Sequence, residues 1–295
     1  FVSVPTDKYA RMDVNALQEL LKTDTIGTVV VTLGTTATGS IDPLPEILEL
    51  QAAYGFRIHV DAAYGGYFAL ASNLSEAGRR AFDLLSEVDS IVIDPHKQGL
   101  QPYGCGCVLF KDTSVGRFYK HDSPYTYFSS DELHLGEISL ECSRAGAAAV
   151  GLWATQQMFP MERGGTFAGM LEANRAAGLA FYERLVGDDR FMTVFEPDTD
   201  IVLWGPRARS TSELTALSRA VFAQGEKRGL HMALTTQPRA LLEQWWPDLA
   251  WDSDSVMILR ACLMKPDHLA WLDDIYGLLG EVTDAVLEDL PQAGD

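Results

Sequence analysis

Positive charge is scarce in this chain. Its 23 lysines and arginines stand against 41 aspartates and glutamates, a formal net charge of −18 over 295 residues. So acidic a surface argues against nucleic acid and against an anionic membrane as partners, because phosphate groups would be repelled; the excess acid serves solubility. Cysteine is scarce too, with four residues. Cys105 and Cys107 flank a single glycine, too tight for an ordinary structural disulfide or a zinc knuckle, and neither Cys142 nor Cys262 has a neighbour at metal-ligand spacing. The expectation is buried, reduced thiols in a cytoplasmic protein without a metal. No apolar run is long enough to span a membrane, no signal peptide is present, and there are no repeats or low-complexity linkers. An initiating methionine is missing as well. The chain opens on Phe1-Val2-Ser3-Val4-Pro5, which reads as a strand already inside a domain, so a C-terminal piece of a longer polypeptide is expected.

What is present is an ordinary globular composition, 47% hydrophobic and 22% charged. Helical spacing runs from Met12 to Lys22, and Ile26 to Leu33 is a continuous apolar run that fits a strand buried on both faces. A helix over 44–54 closed by Gly55, a strand over 57–60, a helix over 74–85 and a strand over 90–93 follow. This β-α-β rhythm predicts a mostly parallel sheet with helices on both faces. Residues 104–110 suggest one more, antiparallel strand, Ala147 to Met158 a buried helix, and Gly165 to Leu185 a long helix bridging to a second unit. From Asp188 the pattern changes to α+β: a hairpin over 191–204, a helix over 211–228, strands near 230–235 and 255–264, and a last helix over 266–290. The division expected is 1–170 for a large domain and 171–295 for a small one.

Two strand ends carry the chemistry. One strand stops at Asp94-Pro95-His96-Lys97, the other at Asp61-Ala62-Ala63-Tyr64-Gly65-Gly66. Ligands of parallel α/β folds bind beyond the carboxyl ends of the strands. An amine at such a position is open to partial desolvation, which makes it a nucleophile toward carbonyls, and its commonest use is a Schiff base with pyridoxal phosphate, partnered by an acid on the pyridinium nitrogen. Asp61 supplies an acid; Ala62 and Ala63 are small enough for a flat ring. The residues alone leave the other readings open: a solvated surface lysine, and an aspartate that caps a helix.

His59-Val60-Asp61-Ala62-Ala63-Tyr64-Gly65-Gly66, Asp94-Pro95-His96-Lys97 and Leu33-Gly34-Thr35-Thr36, in this order and spacing, resemble the group II pyridoxal-phosphate-dependent amino acid decarboxylases. That family includes aromatic amino acid, glutamate and archaeal tyrosine/aspartate decarboxylases. The resemblance implies an aspartate aminotransferase-like, fold type I architecture and a homodimer. It implies that Lys97 is the Schiff-base lysine, Asp61 the pyridinium partner, Ala63 a packing residue on the ring, His96 a group near the cofactor phosphate and Thr36 a donor to the ring substituents. Asp94 stands where many relatives carry asparagine and receives no role. Arg260, inside the apolar run Ile258-Leu259-Arg260-Ala261-Cys262, needs an anion; the resemblance makes it the substrate carboxylate, with a structural salt bridge as the other reading. Arg144 is placed near the phosphate, and Tyr125 or Tyr127 as a proton donor after CO2 leaves, with aromatic packing as their other reading. A glycine/serine-rich phosphate cup and a ring-stacking histidine, implied upstream, are not found here. Either another chain supplies that upstream half, or the chain is a processed fragment, or it is inactive. The implied reaction is decarboxylation of an L-amino acid, with an aromatic or apolar side chain suggested by residues 125–128. Other fold type I chemistry, a carbon–carbon lyase or aminotransferase, and a non-catalytic partner subunit are the alternatives.

Overall fold

The structure, a computed structural model, describes residues 1–23, 25–118, 120 and 146–289. Tyr125, Tyr127 and Arg144 lie outside the described residues.

The first half is organised by a four-stranded sheet in the order β1-β2-β3-β4: β1 is Thr28–Thr32, β2 Arg57–Asp61, β3 Ser90–Ile93 and β4 Cys107–Phe110. The first three strands are parallel and β4 runs antiparallel to β3, as the sequence suggested. Parallel pairing needs crossovers, and helices α1 (Val14–Thr23), α2 (Leu44–Tyr54) and α3 (Glu76–Asp83) flank or provide them. Local chemistry sets several of their ends. The Asp13 carboxylate accepts from Asn15 N and Ala16 N ahead of α1. Ser75 caps α3 through Gly78 N, and Gly55 ends α2 at φ 76°, where a Cβ would be strained. Leu17, Leu21, Leu44, Ile47 and Phe82 of these helices share one core with Val29, Val31, Ile58 and Val60 of the sheet.

Two expectations fail here. Among the described residues, the run from Ile26 to Leu33 is not buried on both faces, and helices cover one face of the sheet. Val30 and Val108 lie on the same face, 54% and 52% exposed, because the described helices pack only on the other. The helix over 147–158 is likewise not buried: α4 (Gly146–Met158) has no buried residue, and Trp153 is 61% exposed. All-round apolarity made it read as a core helix, but no described element covers it.

Helix α5 (Thr166–Val186) connects the two halves. Phe167 and Leu171 join the first core; Ala177, Phe181 and Leu185 join the second. The expected division at 170/171 falls inside this helix. Beyond it lies an antiparallel sheet in the order β5-β6-β8-β7: β5 is Phe191–Thr193, β6 Ile201–Pro206, β7 Ala233–Pro238 and β8 Ser255–Cys262. It packs against α5, α6 (Thr211–Lys227) and, after the short α7 (Arg239–Leu242), α8 (Leu272–Glu288). The first turn of the expected last helix is a separate 3-10 turn, Pro266–Leu269. No described helix is long and apolar enough to cross a membrane.

Candidate active site

Three loops leave the carboxyl ends of β1, β2 and β3, and backbone hydrogen bonds tie them side by side. Leu33 N donates to Asp61 O at 2.9 Å, joining the first loop to the second. Ala62 N donates to Val92 O at 3.0 Å, and Asp94 N to Ala63 O at 3.1 Å, joining the second to the third. The Asp61 turn and the Lys97 turn are therefore neighbours by construction. Gly34 and Gly65 bring the first two loops into direct backbone contact. A Cβ on Gly65 would stand 2.2 Å from Leu33 O and one on Gly34 2.6 Å from Gly65 Cα, so neither position has room for a side chain.

Within this row of loops, one Asp61 carboxylate oxygen accepts from Ala63 N at 3.1 Å, its single hydrogen bond among the described residues. Ala63 itself is half-buried and Thr36 is exposed. The Lys97 turn closes through Lys97 N to Asp94 O at 2.9 Å. Its side chain, 30% exposed, sets Nζ 3.1 Å from Asp94 Oδ2, and His96 Nε2 lies 3.7 Å from the same oxygen. His96 Nδ1 contacts Cys105 O at 2.7 Å, which requires the proton on Nδ1, so Nε2 carries a proton toward Asp94 only when the ring is cationic. Asp94, which received no role from the sequence, is thus the partner of the lysine and, when the ring is cationic, of the histidine. The signal for it was its position three residues before Lys97, the span of one turn.

Leu100, just past the lysine, holds φ 60°, a left-handed conformation uncommon for a bulky residue and a mark of local strain. Of the four thiols expected to be buried, three lie among the described residues: Cys105 is buried, whereas Cys107 and Cys262 are half-buried, and these three form no disulfide.

Arg260 sits on β8, opposite Leu203 and Ala233. It forms no salt bridge among the described residues, and its Nε is buried without a hydrogen-bond partner. A buried guanidinium donor without a partner keeps hydrogen-bonding capacity for a further acceptor. It acts electrostatically on Tyr64, three residues past Asp61, and on Asp200 and Cys262. Burial pushes the Tyr64 hydroxyl well above its ordinary value, and the neighbouring Asp200 carboxylate adds to this. Tyr64 therefore stays a donor, and it donates to Asp200 Oδ1 at 2.7 Å. Sequence reading gave Asp200 no role, because at the start of a hairpin strand nothing local shows what its carboxylate meets.

The residues present fit pyridoxal phosphate on four observations: an amine past one strand end, an acid with an unengaged oxygen in the adjacent turn, small residues following that acid, and an orphaned guanidinium donor in electrostatic reach of Tyr64.

Comparison with known proteins follows the same line. A family model described as "Pyridoxal-dependent decarboxylase conserved domain" matches residues 1–204. An L-tyrosine decarboxylase of Enterococcus faecium is 29% identical over 266 residues, covering 74% of this chain and 43% of that protein. A probable L-tyrosine/L-aspartate decarboxylase of Methanothermobacter thermautotrophicus is 32% identical over 211 residues, covering 70% of this chain and 54% of that protein. The chain thus spans about half the length of these curated relatives. Among solved structures, Oryza sativa TDC with PLP and tryptamine superposes with a TM-score of 0.77 at 20% identity, covering 96% of this chain and 57% of that one.

Proposed function

This chain belongs to the pyridoxal-dependent decarboxylase family, and on that premise we propose that it takes part in the decarboxylation of an L-amino acid to its amine and CO2, using pyridoxal phosphate. The observation that carries the reading is the Lys97 turn bonded directly to the Asp61 turn through Asp94 N and Ala63 O. When bound, pyridoxal phosphate supplies a carbonyl carbon for amines and a ring that accepts electrons from the substrate's α-carbon. Lys97 would hold the group through its amine. An ammonium is not a nucleophile, so a proton must first leave Nζ, and Asp94 Oδ2 is the acceptor at 3.1 Å. Asp61 would hold a proton on the ring nitrogen, Ala63 would leave room for the ring face, and His96 and Thr36 would bind the group's polar substituents. Arg260 would bind the substrate carboxylate with its orphaned donor.

Tyr125 or Tyr127 as proton donor, and Arg144 near the phosphate, complete the assignment. An aromatic or apolar amino acid is the proposed substrate. The L-tyrosine decarboxylase relative is named for an aromatic one, which supports it. A homodimer, or an assembly with a chain carrying the upstream half, is the proposed working form, and the cytoplasm the proposed location.

The test uses the full-length protein with added pyridoxal phosphate. A visible absorbance band that is absent in Lys97→Ala, together with CO2 release from an L-amino acid, is the expected result. No band in the unsubstituted protein would overturn the cofactor assignment, and keto acid formation without CO2 would overturn decarboxylation in favour of transamination.

A further inference from the structure

The segment Asp198-Thr199-Asp200, at the entry to β6, reaches all three loops that leave the parallel strands. The Asp198 carboxylate receives Arg11 Nη2 at 2.7 Å and Ile41 N at 3.1 Å. Thr199 Oγ1 donates to Gly39 O at 3.3 Å. Asp200 is 0% exposed, yet its two oxygens are taken by two different loops: Tyr64 OH donates to Oδ1 at 2.7 Å and Gln98 Nε2 to Oδ2 at 2.8 Å. Tyr64 lies three residues past Asp61, and Gln98 follows Lys97. On the opposite side, Asp200 O accepts from Leu263 N at 2.9 Å, just past β8, which bears Arg260.

A carboxylate with no access to water is tolerated only while its oxygens are satisfied. Displacing either loop would strand one oxygen of Asp200, so the two loops are held to one carboxylate rather than to each other alone. Burial raises the Asp200 carboxyl above its usual range, and the hydrogen bonds from Tyr64 and Gln98, followed by the Arg260 charge, oppose that rise. The network extends one step further: Asn174 Nδ2, on α5, lies 3.4 Å from Gln98 Oε1 and donates to Met264 O at 3.1 Å.

We propose that Asp200 is a positioning residue: from the antiparallel sheet, its carboxylate clamps the Asp61 turn and the Lys97 turn in fixed relation to each other and to Arg260. The roles of those three groups rest on the decarboxylase reading; the clamp does not.

Asp200→Asn keeps the shape but removes one acceptor: with its oxygen on Tyr64 it presents Nδ2 to Gln98 Nε2, donor against donor, and turned over it leaves the Tyr64 proton without an acceptor. Gln98 can turn its amide over only by giving up Asn174. Adding Gln98→Glu restores an acceptor there, with the same number of charges. The experiment is hydrogen–deuterium exchange on the full-length protein without cofactor. In D200N, exchange of residues 62–66 and 94–101 is expected to rise about tenfold while the β6–β8 pairing is little changed, and Q98E/D200N is expected to reverse most of the rise. Tyr64→Phe, which removes one donor and leaves the carboxylate, should loosen 94–101 as well as 62–66, and it decides the matter if D200N does not fold. Unchanged loops, a rise spread evenly over the chain, no reversal in the double variant, or loosening of 62–66 alone in Tyr64→Phe would each overturn the proposal. With pyridoxal phosphate added, D200N should also retain the cofactor less tightly, by about tenfold. Since exchange is read without cofactor, failure of the clamp and failure of the decarboxylase reading give separate results.

Discussion

Replacing Gly65 by alanine separates close approach from backbone conformation as the reason for a glycine at this site. Gly65 has φ −84° and ψ −9°, a conformation open to any residue, so alanine carries no conformational penalty. The penalty is one of space. The added Cβ would lie 2.2 Å from Leu33 O, 2.8 Å from Leu33 C and 2.9 Å from Gly34 Cα. These are backbone atoms at the end of β1, held by the Leu33 N to Asp61 O bond, and they cannot rotate aside as a side chain can. Ordinary carbon–oxygen contacts lie at about 3.3 Å or more, so the two loops must part by about 1 Å. Overpacking costs about 1–3 kcal/mol, and the rigid obstacle puts Gly65→Ala near about 3 kcal/mol. A shift of about 1 Å in a catalytic group can lower the rate about 100-fold, so kcat/KM should fall by about that much even where the variant is folded. Gly55→Ala is the control. Gly55 has φ 76° and nothing within 4 Å of a built Cβ, so its cost is left-handed strain alone, about 1–2 kcal/mol, with activity unchanged. Urea unfolding and steady-state kinetics on the full-length protein measure both. If Gly65→Ala lay within about 0.5 kcal/mol of the parent, or kept its activity, the close-approach argument would be refuted.

Two further outcomes are expected. Trp246 Nε1 donates to Thr193 O at 2.7 Å, whereas Trp204 Nε1 is buried without a partner among the described residues. Trp246→Phe should therefore cost about 1 kcal/mol more than Trp204→Phe in urea unfolding, and equal losses would contradict the hydrogen-bond accounting. Asp252 accepts from the Thr211 hydroxyl and from Ser212 N at the start of α6, which holds its carboxyl down at about 2, against 3.8 in an unfolded chain. The folded chain thus binds this proton less readily than the unfolded one. The resulting stabilisation is complete above about pH 4 and is lost as pH falls through about 2. Thermal midpoints followed between these limits should fall less steeply in Asp252→Asn, and identical slopes would remove Asp252 from the linkage.

Much of the fold was readable along the chain because local chemistry and tertiary need agree. Gly55 ends α2 where a C′ glycine should, β3 spans Ser90–Ile93 as its apolar run suggests, and the helix from Thr166 divides its apolar residues between two cores. The misreadings share one cause. Apolarity reports what could be buried, not what is packed against it. Val30 and Trp153 are as apolar as core residues, but no described helix covers either. Asp42 stands two residues before α2, yet its carboxylate accepts from Met12 N and Thr32 N, a long-range tie that no local pattern reveals.

The sequence by itself determined the family and the expected chemistry, since the motifs around Thr36, Asp61 and Lys97 resemble those of the pyridoxal-dependent decarboxylases. It also determined that Asp61 and Lys97 would lie at strand ends, because apolar runs stop there. Only the tertiary structure decided what those groups touch. It set Lys97 and His96 beside Asp94, left Arg260 Nε without a partner, and brought Asp200 from more than 100 residues away onto the turns of both site residues. A buried carboxylate must find donors wherever the fold supplies them, and which donors those are depends on how two sheets dock, which no local stretch of chain encodes.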